Sequence, residues 1–396
     1  MATHIGIGFS SEANASTAAG QAATQALEQI QQDKIDLVIV LNTIHYSPLE
    51  TLITVRKSIN AVRVIGSSTA GIILSEMISL RGVAVLAITS DEMNFGIAAM
   101  ANIDTQDRRE AGAAFARNVI ADYGQHRRQA FVFFIDGLIQ NNSPFTKGIQ
   151  EIFGNIFPVV GAGSTDDFHF RKTYQYCQDK SLEGAATGVL IGGANIRVGL
   201  GNKHGWKPLG KPRYITQVEG NVIKTIDQKR ALTIYEEFFG DEAKNLKSQQ
   251  LTQLAILYPL GASLPEEKEY LIRNPIGITG DGSIICQGEV PEDAEIHIMI
   301  GNKDACRQAA VAAAQEAKEA LGEKSPQLAF VFECMGRQKL LGRDAHREIQ
   351  LIRQTLGQEV PIFGMYCWGE ISPFKTAETT RRSHLQNESI TVMAIA

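Results

Sequence analysis

The chain has 396 residues, 44% of them hydrophobic, with 38 Lys and Arg against 43 Asp and Glu; that is enough apolar side chain for two domain-sized cores. A formal charge of −5, mixed in sign along the chain, excludes a phosphate-tracking surface, so nucleic acid is not an expected partner. No apolar run reaches the ~18 residues of a membrane span, the opening MATHIGIGFSSEANA lacks a basic-then-apolar leader, and five cysteines without a C-x-x-C pair read as free thiols, so a cytoplasmic protein without membrane insertion is expected.

Three segments repeat one pattern: a short strand, an Ala-rich helix, an apolar strand, an amphipathic helix and a strand closing on a glycine and a polar turn. The opening strand and helix read HIGIGFSSEANASTAAGQAATQAL from His4, FGIAAMANIDTQDRREAGAAFARNVI from Phe95 and IHIMIGNKDACRQAAVAAAQEAKEAL from Ile296. Each helix starts beside a Ser, Asp or Asn that can accept first-turn N–H groups. The second strands, DLVIVLNT, AFVFFIDG and LAFVFECMG, are continuously apolar, as strands covered on both faces must be.

The third strands, RVIGSSTAG, PVVGAGSTDD and PIFGMYCWGE, place Gly66, Gly161 and Gly364 at similar distances beyond the second strands. Each module then ends in an apolar strand: RGVAVLAIT, GAATGVLIGG or ESITVMAIA. The fold class expected is α/β, with mixed β-sheets flanked by helices, built from quasi-repeated strand-helix-strand-helix-strand modules in two domains. Turn residues cluster in GLGNKHGWKPLGKPRYI, which places the domain boundary near residue 200, with domains 1–200 and 201–396. Beyond it, EYLIRNPIGITGDGSIICQGEVP reads as an antiparallel meander.

Several catalytic motifs fail on their mechanics. Gly205 to Lys211 has phosphate-loop spacing, but Pro212 stands where Ser or Thr must hold magnesium. Gly6-Ile-Gly8 lacks the third glycine of a dinucleotide fingerprint, where Ser11 stands instead. Gly66-Ser67-Ser68-Thr69-Ala70 lacks the last glycine of a nucleophile elbow; its hydroxyls either satisfy a tight turn or line a ligand pocket at a strand end. Asp166 and Asp167 read as solvated turn carboxylates. The eight histidines show no zinc spacing, so no metal ligand is assigned.

The richest cluster is Cys334-Met-Gly-Arg337 with Tyr366-Cys367-Trp368-Gly369-Glu370. If the two strands are neighbours, an Arg, a Glu, thiols and aromatics converge on one mouth, as small-molecule sites require. The expected ligand-binding residues are therefore Arg337, Tyr366, Cys367, Trp368 and Glu370, with Ser67, Ser68 and Thr69, and Arg337 would pair an anionic group. The plain alternative is an Arg337–Glu370 ion pair fastening two loops under the aromatic rings.

At these residues the sequence resembles the FIST family, through VIGSSTAGII, HGWKPLGKPRYIT, IKTIDQKRALTIYEEFFG, YLIRNPIGI, GSIICQGEVPEDAEIHI, FECMGR and PIFGMYCWGEISPF. The family's His-Asn-Gln-Thr-like string is replaced by HLQNESITV, with Glu388 at the amide position. The resemblance implies a standalone FIST N-terminal and C-terminal protein that binds a small ligand such as an amino acid and acts on a separate output partner. A non-enzymatic bacterial sensor is expected, with no cofactor firmly implied. An alternative that the resemblance offers is a haem-binding nitric-oxide sensor regulating a histidine kinase or cyclic-di-GMP enzyme. A cysteine-dependent enzyme using Cys334 or Cys367 is the third reading. Partners are then the ligand, the kinase or cyclic-di-GMP enzyme, and a second copy of the chain in a homodimer.

Overall fold

The computed structural model describes residues 3–32, 34–240, 246–265, 267–374 and 382–396. Three of the four sheets have six strands each, and each is built around one module. In the first, strand Ile35–Thr43 runs parallel to Ala61–Thr69 and antiparallel to Val83–Ser90, which pairs with Thr3–Ser10. The second repeats this with Arg128–Asp136, Val159–Ser164, Ala186–Gly192 and Asn94–Met100. The third does so with Leu328–Cys334, Ile362–Cys367, Ile390–Ile395 and Val198–Lys203. The closing strands are antiparallel to the parallel pairs, so the sheets are mixed α/β sheets flanked by helices, as expected.

The first helix of each module is capped as its sequence predicts. Asn14 accepts from the Thr17 N–H at 2.9 Å to open Ala15–Ile30, Asp107 from Glu110 at 2.9 Å to open Arg108–Tyr123, and Asn302 from Ala305 at 2.8 Å to open Lys303–Glu319. Side chains alternate across each strand. Leu37, Ile39, Val132, Phe134, Phe330 and Phe332 point into one core shared by all three sheets, while their neighbours Val38, Phe133 and Val331 pack against the helices outside.

The third module differs from the sequence reading in its first strand. The strand laid against helix Lys303–Glu319 is Val198–Lys203, and Glu295–Ile300 belongs to the fourth sheet. Close approach explains this choice. A Cβ on Gly199 or Gly201 would lie 1.8 Å from the Ala317 carbonyl oxygen or 2.0 Å from that of Ala313, just as one on Gly6 or Gly8 would meet those of Ala26 and Ala22. The Gly-x-Gly pair is thus a helix-packing device, and residues between Val198–Lys203 and the helix form an insertion. Its antiparallel sheet includes Lys207–Glu219, Val222–Ile226 and Glu295–Ile300, with helices Thr233–Phe239 and Ser248–Ala255 alongside.

The modules also exchange hairpins in a cycle. The hairpin Gly71–Leu74 with Met77–Ser79 leaves the first module and pairs with Ile362–Cys367 of the third. Gln175–Cys177 with Lys180–Leu182 leaves the second and pairs with Ala61–Thr69 of the first. Glu370–Pro373 with Ser383–Gln386 leaves the third and pairs with Val159–Ser164 of the second. The exchange brings the ends of the three third strands to one place. Among the described residues, no helix is long and apolar enough to cross a membrane.

Candidate functional site

The hydroxyls at the junction serve the backbone. Ser67 Oγ shares a 2.6 Å hydrogen bond with Ser164 Oγ, Ser68 Oγ accepts from the Tyr174 N–H at 2.9 Å, and Thr69 Oγ1 donates to the Tyr366 carbonyl at 2.7 Å. All three hydroxyl residues are buried. Three polar strand ends thus meet by satisfying one another.

Arg337 does not face an opening, and this corrects its expected role toward an anionic ligand group. It is fully buried; its guanidinium pairs with Glu348, lies 3.4 Å from Glu333, and donates to the carbonyls of His204 at 2.5 Å and Cys306 at 3.1 Å. The Arg337–Glu370 pair is not formed either. Glu370 instead accepts from Cys367 Sγ at 3.1 Å and from Ser389 N–H and Oγ at 3.2 and 2.9 Å. Burial pushes its carboxyl up to about 7 against those hydrogen bonds. Glu388, which accepts from Asn274 Nδ2 at 2.8 Å, is pushed up to about 8 by burial and the charge of Glu370. The other oxygen of Glu388, Oε2, is buried without a hydrogen-bond partner among the described residues.

Cys367 and Cys334 are enclosed, and burial raises both thiols well above the ordinary range, which holds them in the unreactive form. Tyr366 is buried too, and its hydroxyl has no partner among the described residues.

Trp368 is the expected residue that reaches open space. It lines a cavity of about 840 Å³ together with Asp167, Phe168, His169, Phe170 and Lys339. The opposite wall is the helix Ser248–Ala255, which buries Leu251 and Ala255 and turns Ser248, Gln249, Thr252 and Gln253 to the cavity. Gln140 and Gln287 add two more amides. Gln287 Nε2 donates to the Trp368 carbonyl at 2.9 Å, tying the insertion to the third module.

The loop 167–170 carries the backbone strain of this region. Asp167, Phe168 and Phe170 have φ of 53°, 61° and 52°, a region that bulky residues avoid. Asp166 holds it there. Its carboxylate accepts from the N–H groups of Phe170, Arg171 and Lys172 at 2.9, 2.6 and 3.0 Å, so this residue, expected as a solvated carboxylate, is a buried staple. The ring of Trp368 lies 5.5 Å from Phe168 and 5.3 Å from Phe170, and the Lys339 ammonium sits 5.0 Å over the Phe168 ring. Phe170 is nevertheless 48% exposed. Strain held in place by over-determined contacts beside a cavity marks sites of function.

Sequence reasoning missed Phe168, His169, Phe170 and Lys339. The available signal was the string Asp166-Asp-Phe-His-Phe170 directly after a strand-ending Ser-Thr, and Lys339 two residues beyond Arg337.

The FIST N domain model matches residues 36–229 and the FIST C domain model residues 231–373. The chain belongs to the FIST family. FIST domains are associated with sensing in signal transduction, and both halves of the family are present in this FIST chain. No curated protein matches it. Solved structures similar to it along its length include cyanuric acid hydrolase from A. caulinodans, at 7% identity, 99% coverage of both chains and TM-score 0.41. A second cyanuric acid hydrolase matches at 10% identity, 100% coverage of both chains and TM-score 0.35. PurLQS from Thermotoga maritima matches at 7% identity and TM-score 0.22, over 99% of this chain and 72% of that one. The expectation that the chain is non-enzymatic is corrected by the first two, which are enzymes; likeness this slight carries no assignment of an activity.

Proposed function

We propose that this FIST protein is a sensor whose ligand occupies the cavity between loop 167–170, Trp368 and helix Ser248–Ala255. The observation that carries the reading is the lining itself: a carboxylate, Asp167, and an ammonium, Lys339, beside three aromatic rings and a row of amides. Those groups fit an amino acid or a similar zwitterion, with Lys339 for its carboxylate, Asp167 for its ammonium, and Phe168, Phe170 and Trp368 for its side chain. Because the walls come from the second module, the third module and the insertion, a bound ligand favours their closed arrangement by its differential affinity, and that shift is the signal. The output partner proposed is a histidine kinase or cyclic-di-GMP enzyme.

Calorimetric titration with the free amino acids tests this. One or more binds to the wild type, and Lys339→Ala weakens that ligand about tenfold, the loss of one charge-assisted hydrogen bond. Equal affinity in wild type and Lys339→Ala sinks the reading. Haem is the second reading, favoured by His169, an imidazole standing among flat aromatic faces. A Soret band on adding haemin, absent in His169→Ala, replaces the amino-acid ligand with porphyrin.

A further inference from the structure

A second cavity, of about 240 Å³, opens between the first turn of helix Ser143–Phe153 and the strands Leu271–Arg273 and Ser383–Gln386. Arg273 lines it and is 2% exposed. Its Nε donates to the Glu289 carbonyl at 2.6 Å, and its Nη1 to the carbonyls of Ile272 and Leu385 at 2.9 and 2.8 Å. These are all backbone groups. Among the described residues, Nη2 has no acceptor and no carboxylate stands within ion-pair distance of the guanidinium. A buried cation in that state lacks a counter-charge that proteins ordinarily provide.

The surroundings add positive charge. Lys147 and Arg382 also line the cavity; among the described residues the one carboxylate lining it, Glu289, pairs with Lys147, and Arg382 is exposed at the rim. Ser143 and Thr146 of the helix also line the cavity, with the Ser143 N–H held by Asn141 Oδ1 at 3.3 Å and Ser143 Oγ accepting from the Glu289 N–H at 3.2 Å. His384 reports the same field: burial, then Arg273, Arg382 and Lys147, lower it to about 4, so it is a neutral imidazole.

We propose that this cavity binds a phosphate-sized oxyanion, gripped by Arg273 Nη2 from the floor and by Arg382 and Lys147 from the rim. The ligand class is a phosphoryl group, free as inorganic phosphate or carried as a small phosphate monoester. The site is independent of the aromatic cavity.

Titration of the full chain with inorganic phosphate, against chloride at matched ionic strength, tests it. Phosphate raises the melting temperature where chloride does not; Arg382→Ala weakens binding about fivefold and Glu289→Gln, which removes the competing carboxylate, tightens it by about as much. Lys339→Ala, which disables the amino-acid cavity, leaves phosphate binding unchanged, so failure of one site is told apart from failure of the other. Arg273→Gln abolishes binding; should that variant not fold, as circular dichroism would show, the Arg382→Ala comparison decides. Tighter binding of glycerol 3-phosphate than of phosphate identifies a monoester as the source, and the reverse order identifies the free anion. The proposal is overturned if neither anion binds better than chloride, or if Arg382→Ala binds phosphate as the wild type does.

Discussion

At the scale of single residues, the buried carboxyls govern how the fold responds to pH. Glu370 and Glu388, raised to about 7 and about 8, ionise near about 4.3 in the unfolded chain. The folded state therefore holds extra protons between those values, and stability falls as pH rises through that window. His204 and His384, lowered by burial to about 3 and about 4, act in the opposite sense, and only below about 6.5. Above that the two histidines no longer contribute. Glu388→Gln should remove a loss on the order of 2 kcal/mol between about pH 6.5 and pH 8, read from urea denaturation at each pH; the same slope in variant and wild type contradicts the protonated-carboxyl assignment. Arg337→Ala leaves Glu333 and Glu348 buried without their cation, so it should cost about 3–5 kcal/mol of stability. The sequence grouped Arg337, Glu370 and Cys367 at one mouth, whereas the structure pairs Arg337 with Glu333 and Glu348 and Glu370 with Cys367 and Ser389. It could not show that the charges face inward, because the carbonyls of His204 and Cys306 that hold Arg337 come from elements far away in the chain.

At the scale of elements, capped helices and apolar strands were legible because their causes are local: Asn14, Asp107 and Asn302 each sit directly before the helix they cap. The opening strand of the third module was not, because the insertion separates Val198–Lys203 from its helix. Its trace was the Gly199-Leu-Gly201 echo of Gly6-Ile-Gly8. That echo has an energetic meaning: Gly201→Ala forces strand and helix apart and should cost at least about 2 kcal/mol, measured by denaturant midpoint, with a smaller cost arguing that the contact yields. Loop 167–170 escaped notice because its strain depends on Asp166 folding the chain back on itself. Phe170→Gly relaxes one φ of 52° and removes a cavity ring. It should gain about 1 kcal/mol of stability while weakening the ligand, a trade expected where strain serves binding.

At the scale of the whole molecule, hairpin exchange makes each sheet depend on a neighbour, and one apolar core is shared by all three. The three modules should therefore unfold in one transition, with tryptophan emission and helical circular dichroism changing together. The insertion has a core of its own around Ile223, Tyr235, Leu251 and Ile296. It is the part able to loosen separately, and it supplies the helix that walls the aromatic cavity. Repetition of the module was visible in the chain, but the cyclic exchange was not, since strand order is decided by pairings between residues as distant as Gly71 and Tyr366.

Ligand-dependent emission from Trp368 tests the central claim most directly. The chain has two tryptophans, so Trp206→Phe leaves Trp368 as the reporter at the cavity. Saturable quenching or a shift of that emission by an amino acid, reduced in Lys339→Ala, is the predicted result. A calorimetrically confirmed ligand that leaves Trp368 emission unchanged would place its site elsewhere and contradict the account.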